Sequence, residues 1–175
     1  MKRILTALAF LSLSLSSFAQ GSIPLLDRVP GHRVTFHYTY SLSRDGGAAQ
    51  AVTDGDVVLE DNAYRLDGLG LEVISDGNTR WSLDEAAEEV VVETVEREDL
   101  FTNPALFIAS YKRYLDKIKV NASGSDSLDV TLVLDEDTSA RFVLRNVRFL
   151  DRQGKSDFTL DVQSLPSSYL VTDLR

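Results

Sequence analysis

From Arg33 to Leu42 the chain changes character at every residue: Val34, Phe36, Tyr38, Tyr40 and Leu42 alternate with Thr35, His37, Thr39 and Ser41. A period of two carried by aromatic and β-branched side chains fits a strand with one buried face, and a helix cannot keep such a pattern on one side. Similar runs recur at short intervals. Residues 52–59, 63–67, 69–75, 79–83 and 90–95 read as strands, separated by turn chemistry at Arg44-Asp45-Gly46-Gly47, Asp61-Asn62 and Gly68 and by the charged loop 84–89. Asp76-Gly77-Asn78 is the clearest hairpin signal, because Asp and Gly tolerate the positive φ that tight hairpins demand. Residues 117–121, 128–134, 140–150 and 156–165 read as four further strands. Hairpins joined by short turns, with no long helix between them, imply antiparallel sheet rather than βαβ units.

One interior segment breaks this rhythm. Thr102-Asn103-Pro104 has the form of a helix start, with Asn103 as N-cap and Pro104 at the first helical position. Residues 105–114 then form a short apolar helix that groups Leu106 and Phe107. A single helical turn is expected at 25–29, stopped by Pro30-Gly31. Nine or ten strands in one sheet tend to curl or split. The expected fold is therefore mainly β: an unclosed antiparallel β-barrel, or strongly curved sheet, with a short helical lid over its mouth.

The first residues add a destination. Lys2 and Arg3 precede an apolar run from Ile4 to Leu15, then Ser16-Ser17-Phe18-Ala19. This is the pattern of a secretory leader, residues 1–19, cut after Ala19; the run falls short of the roughly 20 apolar residues that span a bilayer. Residues 20–175 are expected to form one exported domain, most simply in a bacterial periplasm. The chain has no cysteine, which removes disulfides, thiol catalysis and thiolate metal sites. Its net charge of −9 includes Lys2 and Arg3, so loss of the leader deepens it by two. Such a surface repels nucleic acid and anionic headgroups.

Catalytic signals are few. The two histidines are His32 and His37, and His37 alternates with the apolar face of its strand. No nucleophile elbow, zinc-protease helix, phosphate loop or dinucleotide fingerprint occurs. Acidic pairs at Asp84-Glu85, Glu88-Glu89 and Asp135-Glu136-Asp137 lack the ligand spacing of a calcium loop and fall at turns. The reading is of a non-enzymatic, monomeric protein with neither cofactor nor metal. Ligand binding has more to offer, because a tilted open barrel of this strand number can enclose a cavity. Its candidate apolar wall is Phe36, Tyr38, Tyr40, Tyr64, Leu66, Val73, Trp81 and Val92, with Leu106 and Phe107 on the lid. A core filled by these same side chains is the alternative.

Tyr64-Arg65-Leu66-Asp67 followed by Glu72-Val73-Ile74-Ser75-Asp76-Gly77-Asn78-Thr79-Arg80-Trp81 resembles the LolA-like periplasmic lipoprotein carriers. In these, an aromatic strand precedes a hydrophobic-x-S-D-G-x-T-x-W segment. Val90-Val91-Val92-Glu93 is similar to the next strand of that family, and Asp99-Leu100-Phe101-Thr102-Asn103-Pro104-Ala105-Leu106-Phe107-Ile108 to its N-P helix. The resemblance implies an unclosed barrel under helices. It further implies that the cavity shields acyl chains of lipoproteins passing from an inner-membrane releasing transporter to an outer-membrane acceptor. Two positions depart from the family pattern: the helix before the first strand is one turn at most, and Glu60 stands where carriers place an arginine that latches the lid. A lipid- or protein-binding module on the same fold is the second reading, and a secreted hydrolase a distant third.

Overall fold

The computed structural model describes residues 21–68, 70–95 and 103–175. The leader expected at 1–19, Leu69 and the residues 96–102 that open the N-P motif lie outside these. Among the described residues ten strands form one sheet. In chain order they are β1 (Arg33–Arg44), β2 (Gln50–Glu60), β3 (Ala63–Gly68), β4 (Leu71–Ser75), β5 (Thr79–Asp84), β6 (Glu89–Thr94), β7 (Ile118–Ser123), β8 (Leu128–Val133), β9 (Thr138–Leu150) and β10 (Leu170–Asp173). Their spatial order is β10-β6-β5-β4-β3-β2-β1-β9-β8-β7, so the sheet ends in two edges that do not pair with each other and the barrel stays open. Two short helices, α1 (Pro24–Asp27) and α2 (Pro104–Ser110), complete the elements that position the site.

Local chemistry explains most of these boundaries. At the β4–β5 hairpin Gly77 takes a φ of 97°, and Asp76 Oδ1 accepts from the N–H groups of Asn78 and Thr79, both at 2.8 Å. A side chain that satisfies two turn amides fixes the turn and hence the register of both strands. The start of α2 is as expected: Asn103 Oδ1 accepts from the amides of Ala105 (2.9 Å) and Leu106 (3.2 Å), and Pro104 follows. The helix is shorter than its apolar pattern predicts. It ends at Ser110 and continues as a tighter 3-10 stretch, Tyr111–Lys117, kinked at Tyr114.

The larger departure lies near the C-terminus. Residues 156–165, expected as a strand, form two 3-10 turns, Ser156–Phe158 and Val162–Ser164. Thr159 Oγ1 donates to the Ser156 carbonyl and Asp161 Oδ1 accepts from the Gln163 amide, so side chains satisfy backbone groups that a ladder would have used. The last strand is β10 instead, and it pairs parallel to β6, the one parallel pairing among the described residues. A parallel return requires a crossover, and the segment after β9 supplies it by running across the outer face of the sheet.

Each face therefore has its own cover. The main cluster joins α1 and α2 to inward residues of β1, β2, β3, β8 and β9. On the opposite face Ile74, Trp81, Leu83, Val90 and Val92 form a separate cluster, packed by Leu160, Val162, Leu165 and Tyr169 of the crossover. Arg33 and Glu60, paired across β1 and β2, pin the start of that crossover. Arg33 donates to Gln153 (2.8 Å) and Asp157 (2.6 Å), with its guanidinium 5.1 Å from the centre of the buried Phe158 ring. Glu60 has no exposed side-chain surface. It accepts from the amides of Gln153 (3.1 Å) and Gly154 (3.0 Å) and from Arg152. Burial opposes its charge, but these donors outweigh burial and hold its pKa below the ordinary value.

Candidate functional site

The inward face of β1 carries Phe36, Tyr38 and Tyr40 in every second position, all buried. Antiparallel register sets Tyr64 and Leu66 of β3 on the same side as Leu59 and Val57 of β2, and Val73 of β4 opposite Leu66. Eight of the ten expected wall residues thus belong to one cluster: Phe36, Tyr38, Tyr40, Tyr64, Leu66 and Phe107 within it, Val73 and Leu106 half-buried against it. Trp81 and Val92 do not. Ile74 follows Val73 and so faces the other way, and Trp81 pairs with Ile74 and Val92 with Trp81. One residue of parity sends both to the outer face, beneath the crossover. Register across three hairpins decides this, and hydrophobicity alone does not reveal it.

Under the lid the space is occupied by rings. Phe107 of α2 stacks on Phe142 of β9 with centroids 5.0 Å apart and planes 9° from parallel, and Phe142 stacks on Tyr40 at 5.1 Å. All three are buried. Burial also raises the pKa of Tyr38 and Tyr40, so both phenols stay neutral, and the Tyr38 hydroxyl donates to the Asp67 carbonyl at 3.2 Å. Apolar side chains and neutral hydroxyls thus make up this interior.

Beside the lid lies an open cleft of about 440 Å³. Its lining brings together Leu26 and Val29 from α1 and the residues after it, Ile108 and Ala109 of α2, Asp61 and Asn62 of the β2–β3 turn, and Lys112 and Arg113. Neither Tyr64 nor Trp81 lines it, contrary to a pocket with either ring in its wall. A polar tether holds α1 to the residues just after α2. Asp27, at the end of α1, accepts from Ser22 (2.5 Å), from the Tyr111 hydroxyl just after α2 (2.5 Å) and from Lys112 (3.0 Å). These donors hold the Asp27 carboxyl at a pKa of about 2, whereas burial and the adjacent Asp27 charge push Tyr111 up to about 12. Asp27 and Tyr111 carry no periodic signature, and only the packing of α1 against α2 makes them partners. Among the described residues no group of three or more His, Asp or Glu is placed to hold a metal.

No protein-family profile and no curated protein matches this sequence. Among solved structures the chain is similar to the LolA superfamily protein NE2245 from Nitrosomonas europaea. The identity is 9%, the match covers 78% of this chain and 96% of that one, and the TM-score is 0.44. A likeness at that level carries no argument about what this chain binds. The fold rests on its own strand order and lid: a mainly β, unclosed sheet under a short helix.

Proposed function

We propose that this chain is an exported, periplasmic binding protein that shelters an acyl chain between the α2 lid and the concave face of its sheet. A lipoprotein acyl chain in transit between membranes is the preferred cargo, handed over by an inner-membrane releasing transporter and passed to an outer-membrane acceptor. The observation that supports the reading is the cleft beside the lid, lined in part by Leu26, Val29, Ile108 and Ala109, with Phe107, the residue before Ile108, stacked on Phe142 in the core. Moving that ring out of the core costs about 1.5–3 kcal/mol, while each methylene withdrawn from water returns about 0.8 kcal/mol. Roughly four buried methylenes offset the displaced ring, and a longer chain leaves a surplus. Arg113, which also lines the cleft, suits a polar or anionic head left outside.

The test is titration of the folded protein with a fluorescent fatty-acid probe, followed by competition with palmitate. Saturable, competable binding that weakens in Ile108→Asp is expected; no saturable binding refutes the reading. The second reading, a module on the same fold that binds another apolar ligand or a protein partner, is favoured by the ring stack that already fills the space beneath α2. A protein that binds the probe yet takes no lipoprotein from detergent-free inner membranes would support that module over a shuttle.

A further inference from the structure

The two edges of the sheet are built differently. β7 carries Lys119 and a register shift between Val120 and Ala122, both of which discourage the addition of another strand. β10 reads Leu-Val-Thr-Asp, with no lysine, no proline and an unbroken register against β6. Its four residues are all exposed. Three of the six exposed large aliphatic side chains among the described residues fall on or beside it: Leu170 at 60%, Val171 at 40% and Leu174 at 64%. Leu170 and Leu174 donate their amides to the Glu88 and Val92 carbonyls at 2.8 Å. Alternation along a strand then turns the N–H and C=O groups of Val171 and Asp173 towards the open edge, where no strand of the described residues pairs with them.

We infer that β10 is a docking edge, at which an extended segment of a partner protein, apolar with interspersed Lys or Arg, adds an eleventh strand. Main-chain hydrogen bonds to Val171 and Asp173 would supply the pairing, and Leu170 and Leu174 the apolar contact. Charge complementarity selects the basic character. The turn beside the start of β10 presents Glu85, Glu88 and Glu89, all exposed and without an ion pair among the described residues. A second copy of this chain is the poorer occupant. Each copy carries a net charge of −9, deepened by two without Lys2 and Arg3, so two copies repel each other where a basic segment is attracted. This inference does not depend on the acyl-binding reading, since β10 is remote in the strand order from the lid and its cleft.

A ten-residue peptide alternating valine and lysine serves as the probe, with a valine–glutamate peptide as its counterpart. Backbone amide exchange followed by NMR reads the site. The expected result is saturable, salt-weakened binding of the lysine peptide, with exchange slowed at Val171 and Asp173. Val171→Pro removes one outward donor but leaves the Leu170 and Leu174 bonds to β6, and should weaken binding about tenfold, the equivalent of one hydrogen bond. Val171→Thr keeps the donor and should bind as the parent does. Absence of binding, equal binding of the glutamate peptide, or protection mapping elsewhere overturns the inference on the unaltered protein alone. So does full binding by a Val171→Pro variant that retains its β6 bonds. Protection at Val171 and Asp173 that grows with protein concentration before any peptide is added would assign the edge to a second copy and overturn the partner assignment.

Discussion

Truncating Phe107 to alanine separates two roles of one ring. The side chain is 1% exposed and lies flat on Phe142, which in turn lies on Tyr40. Removing it forfeits the burial of the ring and leaves a void that the surrounding side chains only partly fill, a combined loss of roughly 3–5 kcal/mol for a buried Phe→Ala change. For a domain of this length that corresponds to a fall of roughly 6–20 °C in Tm. If an acyl chain enters by displacing this ring, the variant no longer has to expel it, and the ~1.5–3 kcal/mol saved tightens probe binding roughly tenfold to a hundredfold. Stability and affinity should therefore move in opposite directions, read by thermal melts and by fluorescence titration on the same sample. Val92→Ala is the control: it removes about 2 kcal/mol of packing from the cluster on the other face and should leave probe affinity unchanged. Loss of stability with unchanged or weaker probe binding in Phe107→Ala would refute ring displacement as the route of entry. A change in Tm too small to measure would refute the packed stack itself.

Gly55→Ala should disrupt the β2–β3 pairing, since an added Cβ would sit 1.8 Å from the Asp67 carbonyl oxygen and 3.2 Å from the Tyr38 ring; a loss of about 3 kcal/mol in urea unfolding is expected, and wild-type stability would contradict the close approach. Glu60→Ala strips the acceptor from the Gln153 and Gly154 amides and should cost about 1–3 kcal/mol. Because the folded pKa of Glu60 is depressed, its contribution is whole above its ordinary value of 4.5 and fades as pH falls below it, so the gap between the parent and Glu60→Gln should narrow in acid; a gap independent of pH would contradict this. The Asp27 tether follows the same sign at lower pH. Its support is present above 3.8 and lost as pH falls through about 2. Melts of the parent and Asp27→Asn should therefore converge over that range, and curves that stay parallel would show that the carboxylate does not hold α1 to the lid.

Strand after strand is legible in the sequence, because period-two alternation, Asp-Gly turns and an Asn-Pro helix start are local codes that neighbouring residues enforce on each other. Those codes also placed Phe36, Tyr38 and Tyr40 together, since residues two apart on one strand share a face whatever the rest of the chain does. Trp81 and Val92 show where local reading ends: their face depends on a register handed through β3, β4 and β5, and one residue of offset moves both to the far side. The segment 156–165 failed as a strand because Arg33 and Glu60, more than ninety positions earlier, hold its approach to the sheet. Apolar composition, alternation and the lid's start belonged to the sequence. Which face each residue covers, the tether from Asp27 to Tyr111, the filled space under α2 and the open edge at β10 belonged to tertiary structure, because each is a contact between segments that no short-range pattern relates.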